Sequence, residues 1–247
     1  MLIMFNQEYA DAYEQIHASK NYDKEIQNLI SNAQLNKKEK ILDFGCGTGQ
    51  HLLKLLRLGY DVQGYDKSAS MISKAISNGV APESLYTQIS EVVDNFDVVY
   101  SLFDVLSYQT TPFELEKFFT EILSVLNPGG RVIVDGWNAT GVRADPPQKR
   151  IRSFEVYGRN VSRIVTPKNA SNQSDIYSLT IELVDKLTNA IITAETHNMR
   201  AWHPHEIQDC LGNLGVSSII FRDVDSVFGG LSEESWRFAA LFTKNVN

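Results

Sequence analysis

Ile41-Leu42-Asp43-Phe44-Gly45-Cys46-Gly47-Thr48-Gly49 is the stretch on which the fold turns. Four residues that read as a buried strand feed a Gly-x-Gly-x-Gly loop, and residues 51–58 then carry leucines at helical spacing. Glycines allow a sharp turn and a close backbone approach, and the amides that open a helix favour an anionic or polar group. The dinucleotide fingerprint is Gly-x-Gly-x-x-Gly; here the third glycine comes one residue early and Gln50 stands in its place. Asp66 ends the next strand, about 20 residues after the first glycine, where a carboxylate accepts hydrogen bonds from ribose hydroxyls. The pattern favours an adenosyl ligand and gives no strong case for a pyrophosphate.

Outward from the loop, strands and helices alternate. Strands are predicted over 61–65, 96–102 and 131–135, and helices over 69–77 and 112–126, the last stopping at Asn127-Pro128-Gly129-Gly130. Upstream, residues 9–32 form a helix-compatible stretch without Gly or Pro. This order predicts an α/β fold with a mostly parallel, doubly wound sheet, its working loops at the carboxyl ends of the strands. After Trp137 the period changes: Tyr177, Leu179, Ile181 and Leu183 share one face, and a turn at 187–189 leads into a strand over 191–202. An antiparallel sheet inserted into the core is expected, then a returning helix over 204–214 and a closing strand pair, 216–224 and 236–243. The expected organisation is an N-terminal helical lid (1–36), a core (37–140 and 203–247) and an insertion (141–202) forming part of an acceptor site.

With 247 residues and 43% hydrophobic side chains the chain has ample material for a buried core. Cys46 and Cys210 are too few for a disulfide scaffold and suit a reducing cytoplasm. No signal peptide or membrane span is read from the sequence. A net charge of −7 argues against nucleic acid as a partner. That average hides a basic island: residues 143–163 hold six basic and two acidic side chains, a local +4 that leaves −11 for the remainder. Such an island suits a phosphate-bearing substrate, or is a solvated strand face with ordinary ion pairs. His203-Pro204-His205 lacks the companions of a metal site, and no metal is expected.

The glycine loop, the strand Phe96-Asp97-Val98-Val99-Tyr100-Ser101-Leu102-Phe103 and the turn before the next strand together resemble class I S-adenosylmethionine-dependent methyltransferases, over most of the chain. The resemblance implies a seven-stranded Rossmann-like sheet and S-adenosyl-L-methionine as cofactor, leaving S-adenosyl-L-homocysteine. It implies that residues 43–49 cradle the methionine half, that Asp66 holds the ribose and that the end of the 96–102 strand borders the donor methyl. The implied cofactor contacts are Tyr13, Tyr22, Asp43, Gly45, Cys46, Gly47, Gly49, Asp66, Lys67, Met71, Gln88, Ser101, Leu102 and Phe103. Cys46 is also read as a small packing group. Gln88, or alternatively Ser90, enters as a stand-in for the family's acidic adenine contact, for which 86–91 has no clean match.

Tyr9-Ala10-Asp11-Ala12-Tyr13, the 20–25 segment, the 101–108 loop and the insertion resemble a narrower group, the sugar N-methyltransferases of nucleotide-linked amino sugars. There a tyrosine-bearing helix closes over the cofactor and the insertion shapes the acceptor pocket and a homodimer. The acceptor expected is a nucleotide-linked sugar, methylated at nitrogen or oxygen, with Trp137, Arg143, Arg150, Arg200 and Trp202 as pocket residues. A hydroxyl acceptor needs a base, and His197, then Asp104, are the candidates. A methyltransferase for another small metabolite and a non-catalytic adenosyl-binding module remain as alternatives.

Overall fold

Strong hydrophobic alternation after residue 150 and continuous apolar runs before it separate the chain into two sheets. The computed structural model describes residues 5–156, 158–169, 175–224 and 229–246. The first sheet has seven strands: β1 (Lys40–Phe44), β2 (Asp61–Tyr65), β3 (Leu85–Tyr86), β4 (Phe96–Ser101), β5 (Leu126–Trp137), β10 (Ile219–Asp223) and β11 (Arg237–Thr243). Their order is β10-β11-β5-β4-β1-β2-β3. Pairings from β5 to β3 are parallel; β11 runs antiparallel to β5 and to β10. Strand order reverses between β1 and β4, so their carboxyl ends diverge into a crevice. The helices are α1 (Gln7–Ile16), α2 (Tyr22–Ala33), α3 (Gln50–Arg57), α4 (Ala69–Ser77), α5 (Pro112–Ser124), α6 (Ala139–Ala144) and α7 (Pro204–Asn213). None of the helices among the described residues is long and apolar enough to cross a membrane.

Two details depart from the sequence reading. The 9–32 stretch is two helices, because Asn21 caps a new one by accepting from the Lys24 amide at 3.0 Å. The Asn127-Pro128-Gly129-Gly130 turn lies inside β5: Phe96 pairs with Leu126 and Val98 with Arg131, so four residues bulge while the ladder resumes. Gly129, at φ +77°, donates its amide to the Lys244 carbonyl there.

The second sheet is a four-stranded antiparallel meander, β6 (Arg150–Val156), β7 (Arg159–Asn169), β8 (Ile176–Asp185) and β9 (Ile191–Arg200). Its buried face carries Tyr177, Leu179, Ile181 and Leu183 from β8 and Thr193, Glu195, His197 and Met199 from β9. The apolar side of α1 (Tyr9, Ala12, Ile16) packs into the same cluster as this face. Glu14 of α1 accepts from Gln50 at the start of α3 at 2.9 Å, and Lys54 of α3 reaches Asp23 of α2 at 2.6 Å. The two N-terminal helices are thereby fastened beside the glycine loop.

Candidate active site

The crevice is a cavity of about 820 Å³, within the range of small-molecule sites. The glycine loop forms its floor. Gly45, Gly47 and Gly49 all have positive φ. A Cβ on Gly45 would meet both Val105 methyls at 2.8 Å, whereas one on Gly47 would enter open space, so Gly47 leaves room for a ligand and Gly45 for the fold. Asp66 stands at the end of β2 and accepts from the Gly47 and Ser68 amides, each at 2.8 Å. Burial raises its carboxyl above the ordinary value. Asp43, beneath the loop, is 2% exposed and its Oδ2 has no hydrogen-bond partner among the described residues. Burial pushes its pKa to about 7. The uncovered Gly47 and the Asp66 carboxylate that accepts its amide both line the cavity, and these residues fit an adenosyl cofactor.

The wall at the end of β4 is unusual. Phe103 and Asp104 occupy the left-handed region in succession, at φ +71° and +64°, which costs a non-glycine residue stability. Asp135, at the end of β5, holds them there by accepting both their amides, at 3.1 and 2.7 Å. Burial first, then Asp135, raises Asp104 to about 7. Lys20 lies 3.4 Å over the Phe103 ring and 3.1 Å from Glu25, and burial lowers its pKa. His17, edge-on to Phe103 at 5.2 Å, is pushed down to about 3, mainly by burial, and is held neutral.

The far wall belongs to α1, the 105–108 turn and the second sheet. His197 Nε2 lies 2.8 Å from Glu195 Oε2 and Nδ1 2.8 Å from the Tyr108 hydroxyl. Glu195 also accepts the Phe5 and Asn6 amides, at 3.0 and 2.6 Å. Arg163 projects from β7 and donates to the Tyr9 hydroxyl at 3.4 Å, while its Nε, shielded from solvent, has no partner among the described residues.

Residues 41–130 match the family model described as a methyltransferase domain. Residues 41–130 of the chain are a methyltransferase domain. The methyltransferase is 26% identical over 224 residues to YqeM, a Bacillus subtilis (strain 168) protein named as a methyltransferase, with 86% of each chain covered. It is 29% identical over 131 residues to a glycine/sarcosine N-methyltransferase of Halorhodospira halochloris, covering 50% of this chain and 48% of that one. It is 27% identical over 144 residues to a dTDP-4-amino-2,3,4,6-tetradeoxy-D-glucose N,N-dimethyltransferase of Saccharopolyspora spinosa, covering 54% and 56%. The fold superimposes on the sugar N-methyltransferase KedS8 of Streptoalloteichus sp ATCC 53650 with a TM-score of 0.74 at 17% identity, over 99% of this chain and 94% of that one.

Of the residues singled out from the sequence, Tyr13, Tyr22, Gly45, Cys46, Gly47 and Asp66 line the methyltransferase cavity, as do Lys67, Met71, Leu102, Phe103 and Asp104. Trp137 and His197 line it as well. Asp43, Gly49 and Ser101 support the floor from behind. Gln88 is elsewhere: it is exposed and caps the 89–91 turn, facing Glu91. Four acceptor candidates are also turned away. Arg143 is exposed and pairs with Asp175 at 2.6 Å, and Arg150 is exposed on β6. Arg200 falls on the outward parity of β9, stacking 3.7 Å over Trp202 and bonding Glu206. Trp202 is buried in the main core, its indole N–H donating to the Gln109 carbonyl. Lys20, His17, Glu195 and Asp135 were not among the sequence candidates. Glu195 was accessible by parity, two residues from His197 on the same strand face; nothing in the local sequence marks Lys20.

Proposed function

We propose that this methyltransferase acts on a nucleotide-linked sugar, at an amine or hydroxyl of the sugar. The observation that carries the reading is Arg163: it belongs to the basic stretch 143–163, and its guanidinium lines the cavity with one buried nitrogen unpartnered. A guanidinium in that setting suits a phosphate or carboxylate oxygen. The S. spinosa relative, whose name specifies a dTDP-linked amino sugar, supports the same acceptor class.

S-adenosylmethionine brings an electrophilic methyl on a sulfonium. The chain's own contribution is alignment and exclusion of water. Asp66 and the Gly47 side of the loop would hold the adenosyl group, with Asp43 beneath the loop. The aromatic rings of Phe103, Tyr13 and Tyr22 would face the cationic centre, each such contact being worth about 0.5–2 kcal/mol. A second reading, a small amino acid as acceptor, is favoured by the glycine/sarcosine relative, since one guanidinium suffices for one carboxylate. A labelled-methyl transfer screen over nucleotide-linked amino sugars, nucleotide-linked neutral sugars and glycine separates the two. Transfer to glycine alone supports the second reading, and failure on both sugar sets overturns the first.

A further inference from the structure

Hydrogen-bond polarity on the far wall can be worked out by elimination. Both Glu195 oxygens accept backbone amides, Oε1 from Asn6 and Oε2 from Phe5. Its carboxylate is therefore an acceptor toward His197, and Nε2 must carry the proton. In a neutral imidazole the other nitrogen is then bare. Tyr108, 2.8 Å from Nδ1, is left as the donor, with its hydroxyl proton directed at His197. The lone pairs of the tyrosine oxygen are free to accept from a group in the cavity, which Tyr108 lines. His197, with both nitrogens engaged, acts only through the tyrosine.

We propose that Glu195, His197 and Tyr108 form a proton relay, with the Tyr108 oxygen as the group that takes a proton from the attacking atom of the acceptor. The acceptor N–H or O–H bond breaks and leaves its electron pair on the nucleophile. The proton passes to the Tyr108 oxygen as the tyrosine's own proton moves to His197 Nδ1. The resulting imidazolium lies against Glu195, and it returns its proton through Tyr108 to water once product has left. The charged and titratable groups around the relay are Tyr9 and Tyr13 from α1, the Tyr9 ring centroid lying 6.0 Å from that of His197, Asp104 from the turn after β4, and Arg163 from β7. The arrangement selects acceptors whose nucleophile carries a hydrogen. It rests on the amine-or-hydroxyl reading above.

Two measurements test it. In the cofactor-free protein, ¹⁵N spectra of the histidine side chains, with His197 assigned by loss of its signals in His197→Gln, should show Nε2 protonated and Nδ1 bare. A protonated Nδ1 in the neutral ring overturns the relay whatever the acceptor proves to be. With an acceptor in hand, Tyr108→Phe should lower kcat by about 100-fold near neutral pH. The deficit should shrink as pH rises and the acceptor loses its proton to solvent. KM and cofactor affinity measured by calorimetry should stay close to wild type, which separates lost proton transfer from lost folding. An unchanged kcat, or a deficit independent of pH, overturns the proposal.

Discussion

Asp43→Asn removes the charge of a buried carboxylate beneath the glycine loop and replaces it with an amide of the same shape. In the folded protein Asp43 is raised from 3.8 to about 7, burial being the largest cause. The native state therefore keeps a proton that the unfolded chain gives up near pH 4, and stability falls as pH climbs from about 4 to about 7. A gap of this size corresponds to about 4 kcal/mol above pH 7 and about 1 kcal/mol at pH 4.5, at about 1.4 kcal/mol per unit. The asparagine escapes that penalty but leaves an amide donor buried, a cost of about 1–3 kcal/mol at every pH. The variant should thus be more stable than wild type by about 2 kcal/mol at pH 8 and lose that advantage at pH 4.5. Urea unfolding of the cofactor-free proteins at the two pH values measures both differences. A stability difference that does not change with pH refutes the reasoning.

Asp66→Ala should weaken S-adenosylmethionine binding in calorimetry by about 1–3 kcal/mol, and unchanged affinity would remove Asp66 from the ribose assignment. Gly45→Ala brings a Cβ to 2.8 Å from two Val105 methyls at a positive φ and should cost about 1–3 kcal/mol in thermal or urea unfolding. Gly47→Ala meets nothing in the protein, so its loss should be larger in cofactor binding than in packing. Arg163→Met should raise KM for an anionic acceptor by about 10- to 100-fold while leaving the cofactor Kd unchanged; equal loss for charged and neutral acceptors would count against an anion at Arg163.

The α/β sheet was legible because its signals are local. Glycines at 45, 47 and 49, capped by apolar strands of four to six residues, specify a strand–loop–helix turn within ten positions, and Asp66 follows at a fixed remove. The parity of β9 likewise put His197 on an inward face. The failures are of another kind. Arg200 and Trp202 are expected in the acceptor pocket, but parity and the end of β9 send one outward and the other into the core. Arg143 and Arg150 belong to the basic stretch by sequence, yet only the alternation Val161-Arg163-Val165 on β7 turns a member of that stretch toward the cavity. Lys20 and Asp135 owe their positions to contacts made across the molecule, with Phe103 and with the amides of Phe103 and Asp104. Spacing along the chain carries no record of these.

The clasp between Glu195 and the amides of Phe5 and Asn6 joins positions 190 and 189 residues apart. The apolar side of α1 (Tyr9, Ala12, Ile16) shares its cluster with buried residues that lie between Trp137 and Ala201, far down the chain. Closing so long a loop is entropically late. The pairings of β1, β4 and β5 join residues much nearer in sequence, so the sheet behind the glycine loop can form while the far wall is still incomplete. The far wall of the cavity is then the last to close, and the apolar face of α1 stays open until it does.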